Sequence, residues 1–106
     1  MITQKGTLPV GIEVDGVVHQ DFEIRPQLVR DSIEVLKDER AQESDGLFGL
    51  ALLAQQMIAL GTLPIDKITT DLLLDAYDID MKVLMGAADS LRERLKTFRD
   101  EGLRPS

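Results

Sequence analysis

Residues 11 to 26, GIEVDGVVHQDFEIRP, alternate apolar and polar side chains, turn at Asp15-Gly16, alternate again and stop at Pro26. A period of two marks a half-buried strand, so the chain is expected to open with a β-hairpin over residues 7–25. Leu8, Val10, Ile12 and Val14 share one face of the first strand, and Val18, Phe22 and Ile24 share one face of the second. A two-residue turn at Asp15-Gly16 would pair Val14 with Val17 and Ile12 with His19, which sets apolar faces against polar ones. The spacing therefore predicts a three-residue loop, Val14-Asp15-Gly16, with Gly16 in the bulge position, Ile12 opposite Val18 and Leu8 opposite Phe22. His19 then falls on the polar, solvated face. Pro9 cannot donate to a ladder, so its strand is an edge. A lone two-stranded ribbon is marginal in water, and its apolar face must pack on the rest of the chain or on another copy.

Beyond the hairpin the pattern changes to that of helices. Pro26 suits a first helical turn, and Val29, Ile33 and Leu36, with Leu28 and Val35 one step round, form an apolar stripe at helical spacing. A helix over 26–43 is predicted with that stripe inward. Ser44-Asp45-Gly46 breaks it, and residues 47–60 form a second helix, apolar nearly all round, closed by Gly61 and Pro64. Thr69-Thr70-Asp71 offers an N-cap for a short helix over 70–77. Asp78 or Asp80 caps a long last helix over 79–100. Along it Tyr77, Met81, Leu84, Ala88, Leu91, Leu95 and Phe98 repeat at alternating spacings of four and three, a seam for packing against the second helix or for self-association. The fold class expected is α+β, mostly α: an N-terminal hairpin and three to four helices in a single domain over 1–106.

Charge and composition narrow the function classes. Lys and Arg number 12 against 19 Asp and Glu, a net charge of -7, and the excess lies before residue 82, whereas Arg92, Arg94, Lys96, Arg99 and Arg104 make the tail slightly basic. A field of that sign repels phosphate backbones and argues against nucleic-acid binding. Without cysteine there is no thiolate metal site and no disulfide, which suits a reducing compartment. The N-terminal residues hold no signal-like apolar run, and Gly46 to Ala54 is far short of a membrane span. The expectation is a cytoplasmic protein with no membrane contact.

Catalytic chemistry finds few footholds. His19 is the only histidine. Asp71, Asp75, Asp78 and Asp80 lack the glycine and terminal glutamate of a calcium loop, and carboxylates near helix starts are what the helix dipole favours. Gly6 and Gly11 have phosphate-loop spacing, but Ile12-Glu13 stands where Lys-Ser/Thr is needed. Serines 32, 44, 90 and 106 have no evident base. The reading is a non-enzyme with no catalytic residue, metal or cofactor.

Taken in order, "GIEVDG" and "HQDFEIRP", then "VRDSIEVL", then "LGTLPIDKITTDLLLDAYDIDMKVLMGAADSLRERL" resemble the tail assembly chaperones of Mu-like and P2-like tailed phages and prophages, over roughly residues 7 to 98. The resemblance implies a non-enzymatic protein of the bacterial host cytoplasm. Such a protein coats the long helical tape-measure protein, keeps it in solution and yields it to the tail tube. It also implies a longer, frameshifted form of the same chain as a partner, and the seam and the hairpin's apolar face allow a homo-oligomer. Such a task needs many sequence-tolerant apolar contacts and repulsive charge. The second helix and the last seam are the expected partner-binding surfaces: Leu47, Phe48, Leu50, Leu53, Met57, Ile58, Leu84, Leu91, Leu95 and Phe98. The alternatives are a small tail or head-completion component of the virion, which would extend a neighbour's sheet by its edge strand, and an acidic regulator bound through charge.

Overall fold

The structure is a computed structural model and describes residues 1–99. The alternating stretch does form a hairpin, of β1 (Gln4–Val14) and β2 (Val17–Ile24), but through the tighter turn. Val14 pairs with Val17 and Ile12 with His19. Asp15 and Gly16 both have positive φ, +52° and +79°, as a two-residue hairpin turn of the I′ kind requires. The expected loop and its pairings of Ile12 with Val18 and Leu8 with Phe22 are therefore corrected. Tight pairing alone would leave the apolar faces mismatched, and the mismatch is repaired further up the strand. Between Thr7, opposite Asp21, and Ile12, opposite His19, β1 carries three residues more than β2. An odd shift swaps faces, so Leu8 and Ile12 join Phe22 and Ile24 in the core while Val10, Val17 and Val18 stay exposed.

The bulge, Leu8-Pro9-Val10-Gly11, takes backbone groups out of the ladder, and three of them find other partners. Gln20 Nε2 donates to the Leu8 carbonyl, 3.1 Å. Pro9 has no N–H. The Val10 and Gly11 N–H groups donate to Asp80 Oδ1 and Oδ2 at 2.9 and 2.8 Å. Gly11 sits at φ +99°, and a side chain there would strike Val18 and Gln20.

Helix α1 (Val29–Val35) and α2 (Glu39–Glu43) replace the single helix expected over 26–43. Asp38 makes the break by capping α2, its carboxylate accepting from Arg40 N–H at 3.0 Å. Pro26 lies before the helix, which starts from an extended Leu28. Helix α3 (Asp45–Gln56) starts at Ser44, whose hydroxyl accepts from Leu47 N–H, so Ser44-Asp45-Gly46 opens a helix as well as ending one.

The apolar run expected to be helical to residue 60 leaves the helix at Gln56. Met57–Leu60 forms strand β3, which adds to β2 antiparallel and completes a sheet of order β1-β2-β3. Local propensity yields here to pairing: Leu60 lies opposite Phe22 and Met57 opposite Ile24, and both β3 residues are buried. Gly61, φ +55°, turns the chain after a strand instead of capping a helix. A 3₁₀ turn, Ile65–Lys67, precedes α4 (Thr70–Leu74), which is capped by the Thr69 hydroxyl as expected.

Helix α5 (Asp78–Leu95) is shorter than predicted; residue 100, its expected end, and Arg104 of the basic tail lie outside the described residues. Neither Asp78 nor Asp80 caps it. At its start Asp80 holds Val10 and Gly11, and near its end Arg94 donates to the Thr3 carbonyl at 3.1 Å and to Gln4 Oε1. Fourteen helical residues rise about 21 Å and seven strand residues span about 23 Å, so α5 lies along β1 and antiparallel to it. Its seam is split: Leu84 and Leu91 are buried with the sheet, while Tyr77 and Phe98 are exposed. The fold is α+β and mostly α, an antiparallel hairpin followed by several helices, and none of the described helices is long and apolar enough to cross a membrane.

Candidate partner-binding site

Two ion-paired residues decide which surface the helices show. Asp31, 2% exposed, accepts from both Arg25 terminal nitrogens at 2.9 and 2.8 Å and from Leu28 N–H at 2.8 Å. Arg25 also donates to the carbonyls of Pro26 and of Gln55 near the end of α3. Its backbone joins α3 as well, through Arg25 N–H to the Gln56 carbonyl and Gln56 Nε2 to the Arg25 carbonyl. The Arg25 guanidinium holds the Asp31 carboxyl below the usual carboxylate range, against the opposing effect of burial, and the Leu28 N–H adds to it. Asp31 in turn raises the Arg25 guanidinium above its ordinary value.

This pair turns Asp31 inward and Val29, Ile33 and Leu36 outward, the reverse of the expectation, while Val35 is buried as expected. Val29 is 82% exposed, Ile33 64% and Leu36 47%. Three large apolar side chains at i, i+4 and i+7 form an uncovered ridge on α1. The opposite side of α1 joins a small cluster of Val35, Ala41 and Ala51, against which Phe48 and Leu52 pack.

Of the residues expected to bind a partner, Leu53, Met57, Leu84 and Leu91 are core residues and present nothing to a partner in this conformation. Leu50 packs against the same core. Leu47, Phe48, Ile58 and Leu95 are half-buried and Phe98 is exposed, so the candidates do not converge on one surface. Helices α3 and α5 instead part to leave a groove in two adjoining hollows of about 350 and 230 Å³. Gln27, Gln56, Ala88 and Arg92 line both hollows; Gly46, Gly49, Leu52 and Met85 line the larger. Sequence reasoning passed over this groove: two glycines three apart in a helix do not by themselves say what lies against them, and here neither is closely approached.

The remaining candidates are dispersed. His19 is buried, contrary to the solvated position expected of it: Gly61 lies against its ring, and Nδ1 accepts from Thr62 N–H at 3.2 Å. Asp71 pairs with Arg40 at 2.8 Å, Asp78 with Lys82 at 3.3 Å, and Asp80 serves the bulge. Arg40 is also paired with Asp38, which pushes the guanidinium up and the Asp38 carboxyl down. Among the described residues no three His, Asp or Glu side chains gather in a group that could hold a metal ion.

No family model matches the chain, and neither curated proteins nor solved structures match it.

Proposed function

We propose that this chain is a tail assembly chaperone of a Mu-like or P2-like phage or prophage, a non-enzymatic protein that binds the tape-measure protein in the host cytoplasm and keeps it in solution. The observation that carries the reading from the structure is the ridge of Val29, Ile33 and Leu36, apolar side chains held toward solvent by an ion pair on the other side of the same helix. Contiguous exposed apolar surface on a small protein marks an interaction site, and a net charge of -7 opposes the clumping that such a surface invites. The resemblance across residues 7 to 98 supplies the partner class. The virion-component alternative depends on edge addition, and contacts of α5 with Val10, Gly11 and Thr3 take those backbone groups of β1 away from a neighbour's strand.

The test is co-expression with a tape-measure protein, the long helical reading frame that this proposal expects downstream in the source locus. The tape-measure chain should move from the pellet to the soluble fraction when this protein is present, and the serine triple variant at Val29, Ile33 and Leu36 should lose that effect while keeping its melting temperature. An unchanged partition with the wild-type protein would sink the reading. Collapse of the complex at roughly 1 M salt, where the screening length falls to about 3 Å, would point to the charge-bound regulator instead.

A further inference from the structure

We propose that the groove between α3 and α5 seats an amphipathic helix of the partner, apolar toward the groove and basic on its flanks; this rests on the chaperone reading and names the surface that would serve it. The two hollows share four lining residues and so form one trough running from Leu95 at the end of α5 to Asp45 at the start of α3. Its walls are low where a helix would need them low: a Cβ at Gly49 would meet nothing within 4 Å, one at Gly46 only Ser44 Oγ at 3.7 Å, and Ala88 faces them from α5. Small residues let a second helix approach closely; Leu52, Leu53 and Leu91 supply the apolar floor, and the exposed Met85 adds an adaptable apolar wall.

The polar chemistry of the groove specifies the occupant further. The Gln56 side chain is already bonded to the Arg25 carbonyl, and no buried side-chain nitrogen or oxygen among the described residues lacks a partner. The buried floor therefore holds no unpartnered side-chain polar atom and suits an apolar face, while the exposed Gln27 and Arg92, which line both hollows, call for polar groups beside that face. On the larger hollow's walls Asp45 and Asp89 are exposed and engaged in none of the ion pairs formed by the described residues. Arg92 lines both hollows and is likewise in none of those ion pairs, so the carboxylates outnumber it only at the larger hollow; there, in a body of charge -7, they favour Lys or Arg beside the apolar stripe. Val29 stands two positions beyond Gln27, a lining residue, at most about 7 Å of chain, so the ridge on α1 begins next to the mouth of the groove.

The experiment compares two synthetic helical peptides of about 25 residues, both with alanine and leucine at the a and d positions, one flanked by lysine and the other by glutamate. Binding to the purified chain is read by fluorescence anisotropy. The lysine peptide should bind wild type, Gly49→Leu should weaken it about tenfold or more by filling the trough, and Gly86→Leu, on α5 but outside the groove, should leave it unchanged. The glutamate peptide should bind at least about fivefold more weakly, and that contrast should narrow when Asp45→Asn and Asp89→Asn are combined, more than when the exposed Glu13 and Asp66, which line neither hollow, are neutralised instead. Should Gly49→Leu lower the melting temperature, the aspartate variants carry the test alone.

Absence of lysine-peptide binding up to roughly 100 μM overturns the proposal. So does equal binding by a folded Gly49→Leu chain, or equal binding of the two peptides. A concentration-dependent dimer abolished by Gly49→Leu would overturn it in favour of a second copy as occupant. If the Gly49→Leu chain still brings the tape-measure protein into solution, the groove fails and the chaperone reading stands. If the peptide binds as expected to a chain that leaves the tape-measure protein insoluble, the reverse holds.

Discussion

Replacing Asp80 by alanine should remove a large share of the stability of this fold, because one carboxylate stands in for the ladder that β1 interrupts. Asp80 is fully buried, and its two oxygens accept from Val10 and Gly11 N–H at 2.9 and 2.8 Å. Hydrogen bonds to a charged group contribute about 1.5–3 kcal/mol each, and a buried N–H left without an acceptor costs about 1–3 kcal/mol. Burying the carboxylate carries its own desolvation cost, which alanine relieves, so the net loss belongs near the low end of the summed range, about 3–4 kcal/mol. Against a total of about 5–15 kcal/mol for a domain of this size, that is at least about a fifth. Asp80→Asn keeps one acceptor oxygen but turns an amide NH₂ toward a backbone N–H, and about 2–3 kcal/mol should go. Asp78→Ala, two residues away and exposed in a pair with Lys82, should change nothing measurable. Urea unfolding monitored by far-UV circular dichroism at pH 7 gives the energies, and hydrogen exchange at the Val10 and Gly11 amides reports the site itself. If Asp80→Ala unfolds within about 0.5 kcal/mol of wild type, or if those two amides exchange no faster, the bulge is held by something other than this carboxylate.

The Arg25–Asp31 pair should appear in the pH dependence. Because the folded Asp31 carboxyl titrates below its ordinary value of 3.8, the unfolded chain binds more protons there; its stabilisation is present above that pKa and is lost as pH falls through the lower, folded one. Arg25→Met should lower stability at pH 7 and flatten the loss below about pH 4, and urea midpoints falling in parallel for the two proteins between pH 7 and pH 3 would refute the assignment. Gly61→Ala should destabilise by about 2–4 kcal/mol, since left-handed backbone costs a side chain about 1–2 kcal/mol and the methyl would meet the His19 ring. Gly49→Ala, in an exposed helix interior with open space, should instead stabilise by about 0.5–1 kcal/mol; thermal melts that put both changes in the same direction would refute the geometry of one of them.

Period and punctuation in the sequence determine where this chain turns and which residues can cap. Alternation about Asp15-Gly16 specifies a hairpin, Pro9 marks an edge strand, Thr69 caps α4, and the heptad seam places Leu84 and Leu91 on one side of the last helix. These are local properties, set by the backbone and by spacing along a few turns.

What the tertiary structure decided is where a local rule met a distant partner. The parity of the hairpin could be satisfied by a longer turn or by a bulge, and the bulge won because Asp80, some 70 residues away in sequence, accepts the two amides it frees. Met57–Leu60 left the helix because β2 offered Ile24 and Phe22 as partners. The stripe on α1 faces solvent because Arg25 fastens Asp31, not Val29 or Ile33, to the end of α3. The groove depends on how far α3 and α5 part, a distance no residue in either helix encodes by itself. An apolar periodicity tells which side chains share a face; only the packed chain decides whether that face meets the core or is left for another protein.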